Sequence, residues 1–94
     1  MCVEISNKND KEKNSLEYMQ KNIRNTVVRQ YNYERKLKKM TQEDVAKRAG
    51  ISRTNISRFE SGEYNPTLEM LVKLAEAMDM EICIKLKNKK RMDK

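Results

Sequence analysis

The stretch that most constrains this chain is Thr41 to Thr67, TQEDVAKRAGISRTNISRFESGEYNPT, which spaces caps, apolar residues and glycines as two short helices joined by a sharp turn. Thr41 suits an N-cap, and Gln42, Glu43 and Asp44 follow it, two of them acids that favour the positive end of a helix. Val45, Ala46 and Ala49 form an apolar stripe whose small alanines let another helix cross closely. Gly50 provides the turn, since a residue without Cβ takes positive φ at no steric cost. Ser52 caps a second helix in which Ile56 and Phe59 mark the buried side and Arg53, Thr54, Ser57 and Arg58 fan over the opposite one. Gly62 closes that helix, Asn65 and Pro66 make a turn, and Thr67 caps a further helix in which Leu68, Leu71, Val72, Ala75 and Met78 keep helical spacing.

The residues TQ-x-x-V-A, the turn glycine, I-S-R-x-E-x-G and N-P-T-L resemble the XRE group of bacterial and phage regulators, related to phage Cro and repressor proteins; the resemblance covers roughly residues 31–87. HigA-type antitoxins and solitary regulators are closer still in pattern, with Y-N-P-T-L opening a fourth helix and a short strand after it. The resemblance implies an all-α, lambda-repressor-like bundle of four to five helices with a short C-terminal β-strand able to pair across a dimer. Two positions depart from the family pattern: Lys39 and Asp79 stand where glycines usually end helices. A left-handed lysine there costs about 1 kcal/mol relative to glycine.

What the resemblance implies for the site follows residue by residue. The helix over 52–61 enters the major groove of double-stranded DNA, so Arg53, Thr54, Ser57 and Arg58 are the candidate base contacts. An arginine fork matches the O6 and N7 acceptors of guanine, and the Thr54 methyl suits a thymine methyl. Gln42, Ser52, Asn55 and Asn65, at helix N-termini or in the following loop, are candidate phosphate contacts, and Asn55 has a base as its alternative. The family match also pairs Arg35 with Glu60 beneath the recognition helix, in a largely buried ion pair that fixes helix geometry.

Ahead of the motif, residues 1–14 are polar and read as disordered, and Ser15 caps a helical region reaching about Lys39. Leu16, Met19, Ile23, Val27 and Tyr31 step by three or four as a core stripe, with Val28 beside them. Asn25 and Thr26 are mediocre helix formers, so one helix and two are both open. Tyr33 and Leu37 fall on another side, either as scattered exposed apolars or as a partner surface. At the far end Ile82, Ile84 and Leu86 alternate with Cys83, Lys85 and Lys87 with a period of two. With no other strand-like segment in sight, this strand either pairs with its copy across a two-fold axis or packs as a tail on the fourth helix.

Composition narrows the rest. Residues 15–87 make one small DNA-binding domain, and 37% hydrophobic content with two Gly and one Pro suits a compact helical protein. The net charge is +7, and Lys85 to Lys94 holds six Lys or Arg against one acid, so the basic tail, residues 88–94 included, either solubilises the chain or attracts phosphate. Cys2 and Cys83 are too few for a disulfide framework, which points to a reducing, cytoplasmic setting. There is no His, no phosphate-binding Gly loop and no nucleophile elbow, so neither enzyme chemistry nor a metal or other cofactor is expected. No run approaches the ~20 apolar residues of a membrane span. Two function classes stay in play: a sequence-specific regulator, most simply a homodimeric repressor on a palindromic operator, and an antitoxin that also binds a toxin protein through Tyr33, Leu37 and the N-terminal extension.

Overall fold

The computed structural model describes residues 2–5, through their backbone, and residues 15–89. In chain order the elements are β1 (Cys2–Ile5), α1 (Leu16–Leu37), α2 (Gln42–Ala49), α3 (Arg53–Ser61), α4 (Leu68–Ala77) and β2 (Cys83–Leu86). The fold is therefore helical, four helices among the described residues, with short strands at its two ends. The sequence left α1 as one helix or two; it is one. Ser15 caps it by accepting from the Tyr18 N–H at 3.2 Å. Thr26 remains in the helix with its hydroxyl donating back to the Asn22 carbonyl at 3.0 Å, and burial of Val27 and Val28 next to it outweighs the weak propensity of Asn25 and Thr26.

Three helices end in the same way. Lys39, Gly50 and Asp79 take positive φ, 57°, 71° and 59°. The N–H of the next residue reaches back five positions, Met40 to the Arg35 carbonyl, Ile51 to Ala46 and Met80 to Ala75, at 3.1, 3.1 and 2.8 Å. This is the Schellman closure, in which a left-handed residue is followed by an apolar one that folds back on the helix. Met40, Ile51 and Met80 all pack half-buried against the core. Packing of the apolar residue after the turn thus holds Lys39 and Asp79 in a conformation that glycine would adopt freely. Lys39→Gly is expected to raise stability by about 0.5–1 kcal/mol, the relieved steric cost exceeding the added freedom of the unfolded chain; chemical denaturation measures it, and an unchanged or lower midpoint would refute the strain.

The core is built from Val27, Val28 and Tyr31 of α1, Val45 and Ala46 of α2, Ile56 and Phe59 of α3, and Met70, Leu71, Leu74 and Ala77 of α4, with Met78 just after it. Tyr31 and Phe59 meet edge to face at 5.1 Å. One expectation is corrected here. Leu16 lies at the exposed start of α1, ahead of the packed stretch that begins at Ile23, so it adds nothing to the core stripe. On α4, Leu68 and Val72 are exposed while Met70, Leu74 and Ala77 are buried. That helix is apolar over most of its circumference, and its neighbours rather than its spacing decide which side goes in.

The strand expectations need a second correction. Residues 2–5, expected to be disordered with the rest of 1–14, form β1, and β1 pairs in parallel with β2 in the same chain. The register sets Cys2, Val3, Glu4 and Ile5 opposite Cys83, Ile84, Lys85 and Leu86. Val3 and Ile5 then share a face with Ile84 and Leu86, and Cys2 and Glu4 share the other with Cys83 and Lys85, because period-two alternation is common to both strands. Four residues are too short a run to stand out beside the polar sequence that follows. Residues 6–14, and residues 90–94 of the basic tail, lie outside the described residues.

Candidate nucleic-acid interface

The turn between α2 and α3 is set by the sequence that flanks it. Thr41 and Asp44 form a reciprocal capping box, the Asp44 N–H donating to Thr41 Oγ1 at 3.0 Å and the Thr41 N–H to Asp44 Oδ2 at 2.9 Å. The Thr41 backbone N–H, and its hydroxyl after it, hold the Asp44 carboxyl below the usual carboxylate range. A depressed carboxyl contributes above its unfolded pKa and loses that contribution as pH falls through the folded one, so this cap weakens only in acid. Gly50 makes the turn, and Ser52 Oγ starts α3 by accepting from the Asn55 N–H at 3.2 Å.

Ile56 and Phe59 are fully buried, which fixes the rotation of α3 about its axis. Arg53, Thr54, Ser57 and Arg58 are exposed. Arg53 with Ser57, and Thr54 with Arg58, lie four residues apart and hence side by side, making a polar face over the N-terminal two thirds of the helix. All four candidate base contacts are therefore brought onto one surface.

Beneath it sits one carboxylate that joins three helices. Glu60 accepts from Arg35 Nε at 2.7 Å and Arg35 Nη2 at 3.0 Å, a bidentate pair linking α3 to α1. Gln42 Nε2 of α2 donates to the same carboxylate at 3.0 Å, and Arg35 Nη1 donates to the Met40 carbonyl at 2.8 Å. The paired side chains are 11% and 8% exposed. Tyr31 lies close by: burial first, then the charge of Glu60, push its phenol above the ordinary range, with Arg35 pulling the other way. No local pattern marks Gln42 as the third member of this network.

The candidate phosphate contacts are less uniform. The amide of Gln42 is turned inward to Glu60, so the free backbone N–H groups at the start of α2 are what that position offers to an anion. The Ser52 hydroxyl is exposed and Asn55 half-buried. Asn65 accepts from Arg24 of α1 through its carbonyl oxygen, which leaves its NH₂ to donate. Lys36 and Lys39 were missed by sequence reasoning; with Arg53 they rim a shallow depression of about 480 Å³ against the start of α2. Their signal was present in the sequence, two basic residues just ahead of the Thr41 cap, but only the fold brings the end of α1 beside the start of α3. Among the described residues no group of His, Cys, Asp and Glu is placed to hold a metal ion, and no helix is long and apolar enough to cross a membrane.

Comparison with known proteins agrees with this geometry. The sequence profile of the family described as helix-turn-helix matches residues 33–84. An uncharacterised HTH-type transcriptional regulator of Methanocaldococcus jannaschii is 42% identical over 50 residues, covering 53% of this chain and 76% of the relative. A second such regulator, from Archaeoglobus fulgidus, is 44% identical over 43 residues, covering 46% of this chain and 61% of its own length. The cryptic phage CTXphi transcriptional repressor RstR of Vibrio cholerae is 45% identical over 49 residues, 52% of this chain and 44% of the repressor. No solved structure matches the chain. With its two capped helices, its glycine turn and a profile match over more than half its length, the chain belongs to the XRE-type helix-turn-helix family of transcriptional regulators.

Proposed function

We propose that the protein is a cytoplasmic, sequence-specific repressor that binds a palindromic operator as a homodimer, with α3 in the major groove. The observation that carries this is the face of Arg53, Thr54, Ser57 and Arg58, exposed while Ile56 and Phe59 anchor the helix from behind. Arg53 and Arg58 offer forks to guanine, Thr54 a methyl to thymine and Ser57 a hydroxyl to either partner. Ser52, Asn55, Asn65 and the start of α2 grip phosphates on either side, helped by Lys36 and Lys39. Repression, as opposed to activation, is supported by the name of the Vibrio phage relative.

Binding-site selection with the purified protein tests the reading by yielding a short inverted repeat. On that sequence Arg58→Ala is expected to cost about 1–3 kcal/mol while changing random-duplex binding much less. Equal losses on both duplexes would remove Arg58 from base readout.

The antitoxin reading keeps the same DNA face and adds a protein surface. It is favoured by Tyr33 and Leu37, 62% and 61% exposed and four residues apart on α1. Co-purification with the product of an adjacent gene, lost in Leu37→Glu, would select it.

A further inference from the structure

We propose that Cys2 and Cys83 are a redox pair that closes into a reversible intramolecular disulfide on reaction with a small disulfide of the glutathione class. The observation is the β1–β2 register, which sets Cys2 directly opposite Cys83. Paired residues of neighbouring strands lie roughly 4.8 Å apart, inside the ~4.4–6.8 Å between Cα atoms that a disulfide spans. Parallel strands in register place both cysteines on one face of the sheet, as the bridge requires.

The register is itself specified by side-chain chemistry. A slip by one residue would put Val3 and Ile5 on the face of Cys83 and Lys85 and move Cys2 and Glu4 to that of Ile84. In the observed pairing Val3 and Ile5 stand at the register positions of Ile84 and Leu86, and Glu4 at that of Lys85. Ile82 and Ile84 border an apolar groove with Met19, Ile23, Leu68 and Leu71, which turns their face toward the helices, and Cys83 between them falls on the opposite face. Cys83 is exposed and free, so a small oxidant reaches it.

The step balances without a metal. The Cys83 thiolate attacks one sulfur of glutathione disulfide and releases a glutathione thiolate. The Cys2 thiolate then attacks the Cys83 sulfur and releases the second. Two electrons pass from the cysteines to glutathione, and the two protons lost by the cysteine thiols are taken up by the departing thiolates. The product ties the strand at the start of the chain to the strand after α4. It forms only when the thiol pool becomes oxidising, consistent with the transient, sensing role of disulfides in reducing compartments.

The test uses the full chain, reduced and then equilibrated with glutathione and glutathione disulfide at graded ratios. Expected is a product with no cross-link between chains and each chain lighter by two hydrogens, in which both thiols disappear together, a single cross-linked peptide contains Cys2 and Cys83, and amides of residues 2–5 and 83–86 exchange more slowly than in the reduced protein. Cys2→Ser should stop at a glutathione adduct on Cys83. Accumulation of that adduct in the unsubstituted chain, covalent dimers on a non-reducing gel, or thiols that stay free at every ratio would each overturn the proposal.

Discussion

Arg35→Ala is expected to destabilise the fold by about 3–5 kcal/mol, although Arg35 lies on α1, away from the base-reading face. The cost does not come from losing a favourable ion pair. It comes from leaving Glu60, whose side chain is 8% exposed, as a buried carboxylate with only Gln42 to donate to it. It also strips the Met40 carbonyl of its partner in the turn that leads into α2. A domain of this size has about 5–15 kcal/mol in total, so the loss should lower the melting temperature by more than about 10 °C. Replacing both partners by apolar residues, Arg35→Met with Glu60→Leu, should recover much of the stability, because no charge is then stranded. Recovery should be incomplete, since Gln42 keeps a buried amide without its acceptor. A melting curve unchanged in Arg35→Ala would show that water reaches the pair in solution.

The same cluster separates what was legible in the sequence from what was not. Thr41, Gly50, Ser52, Gly62 and Thr67 act over one helical turn, and each has the cap or left-handed conformation that its residue type implies. Positive φ at Lys39 and Asp79 was legible only against the family pattern, since neither residue favours it by itself. Arg35 and Glu60, 25 positions apart, were also read from resemblance; no local periodicity links them. Gln42 was read as a phosphate contact because it stands at a helix start, and the inward turn of its amide depends on a carboxylate from another helix. Which residues of α4 go inside was not legible for a related reason: on a helix apolar nearly all round, burial is decided by what lies alongside. β1 was missed because four residues carry too little pattern, and its partner lies at the other end of the chain.

That pairing reshapes the dimer argument and leads to the second large effect. A single recognition helix reads only a few base pairs, and two must stand about 34 Å apart to read a palindrome. β2 has one edge occupied by β1, which leaves its opposite edge as the place where a second copy can add in antiparallel fashion, giving the order β1-β2-β2-β1 across a two-fold axis. A two-stranded sheet is marginal alone, and four strands with a shared apolar face are much less so. Ile84 is central to that face, 43% exposed and outside the buried core, so Ile84→Asp should leave the four helices folded while placing a charge where two sheets would join. The expected product is a folded monomer whose affinity for the full operator falls roughly a hundredfold, the loss of linkage between half-sites, while binding to an isolated half-site is kept. Sedimentation decides it together with a circular dichroism control for folding. A dimer of unchanged strength would move the interface off the strands, and the exposed pair Tyr33 and Leu37 on α1, four residues apart on one face, would then be the surface to test.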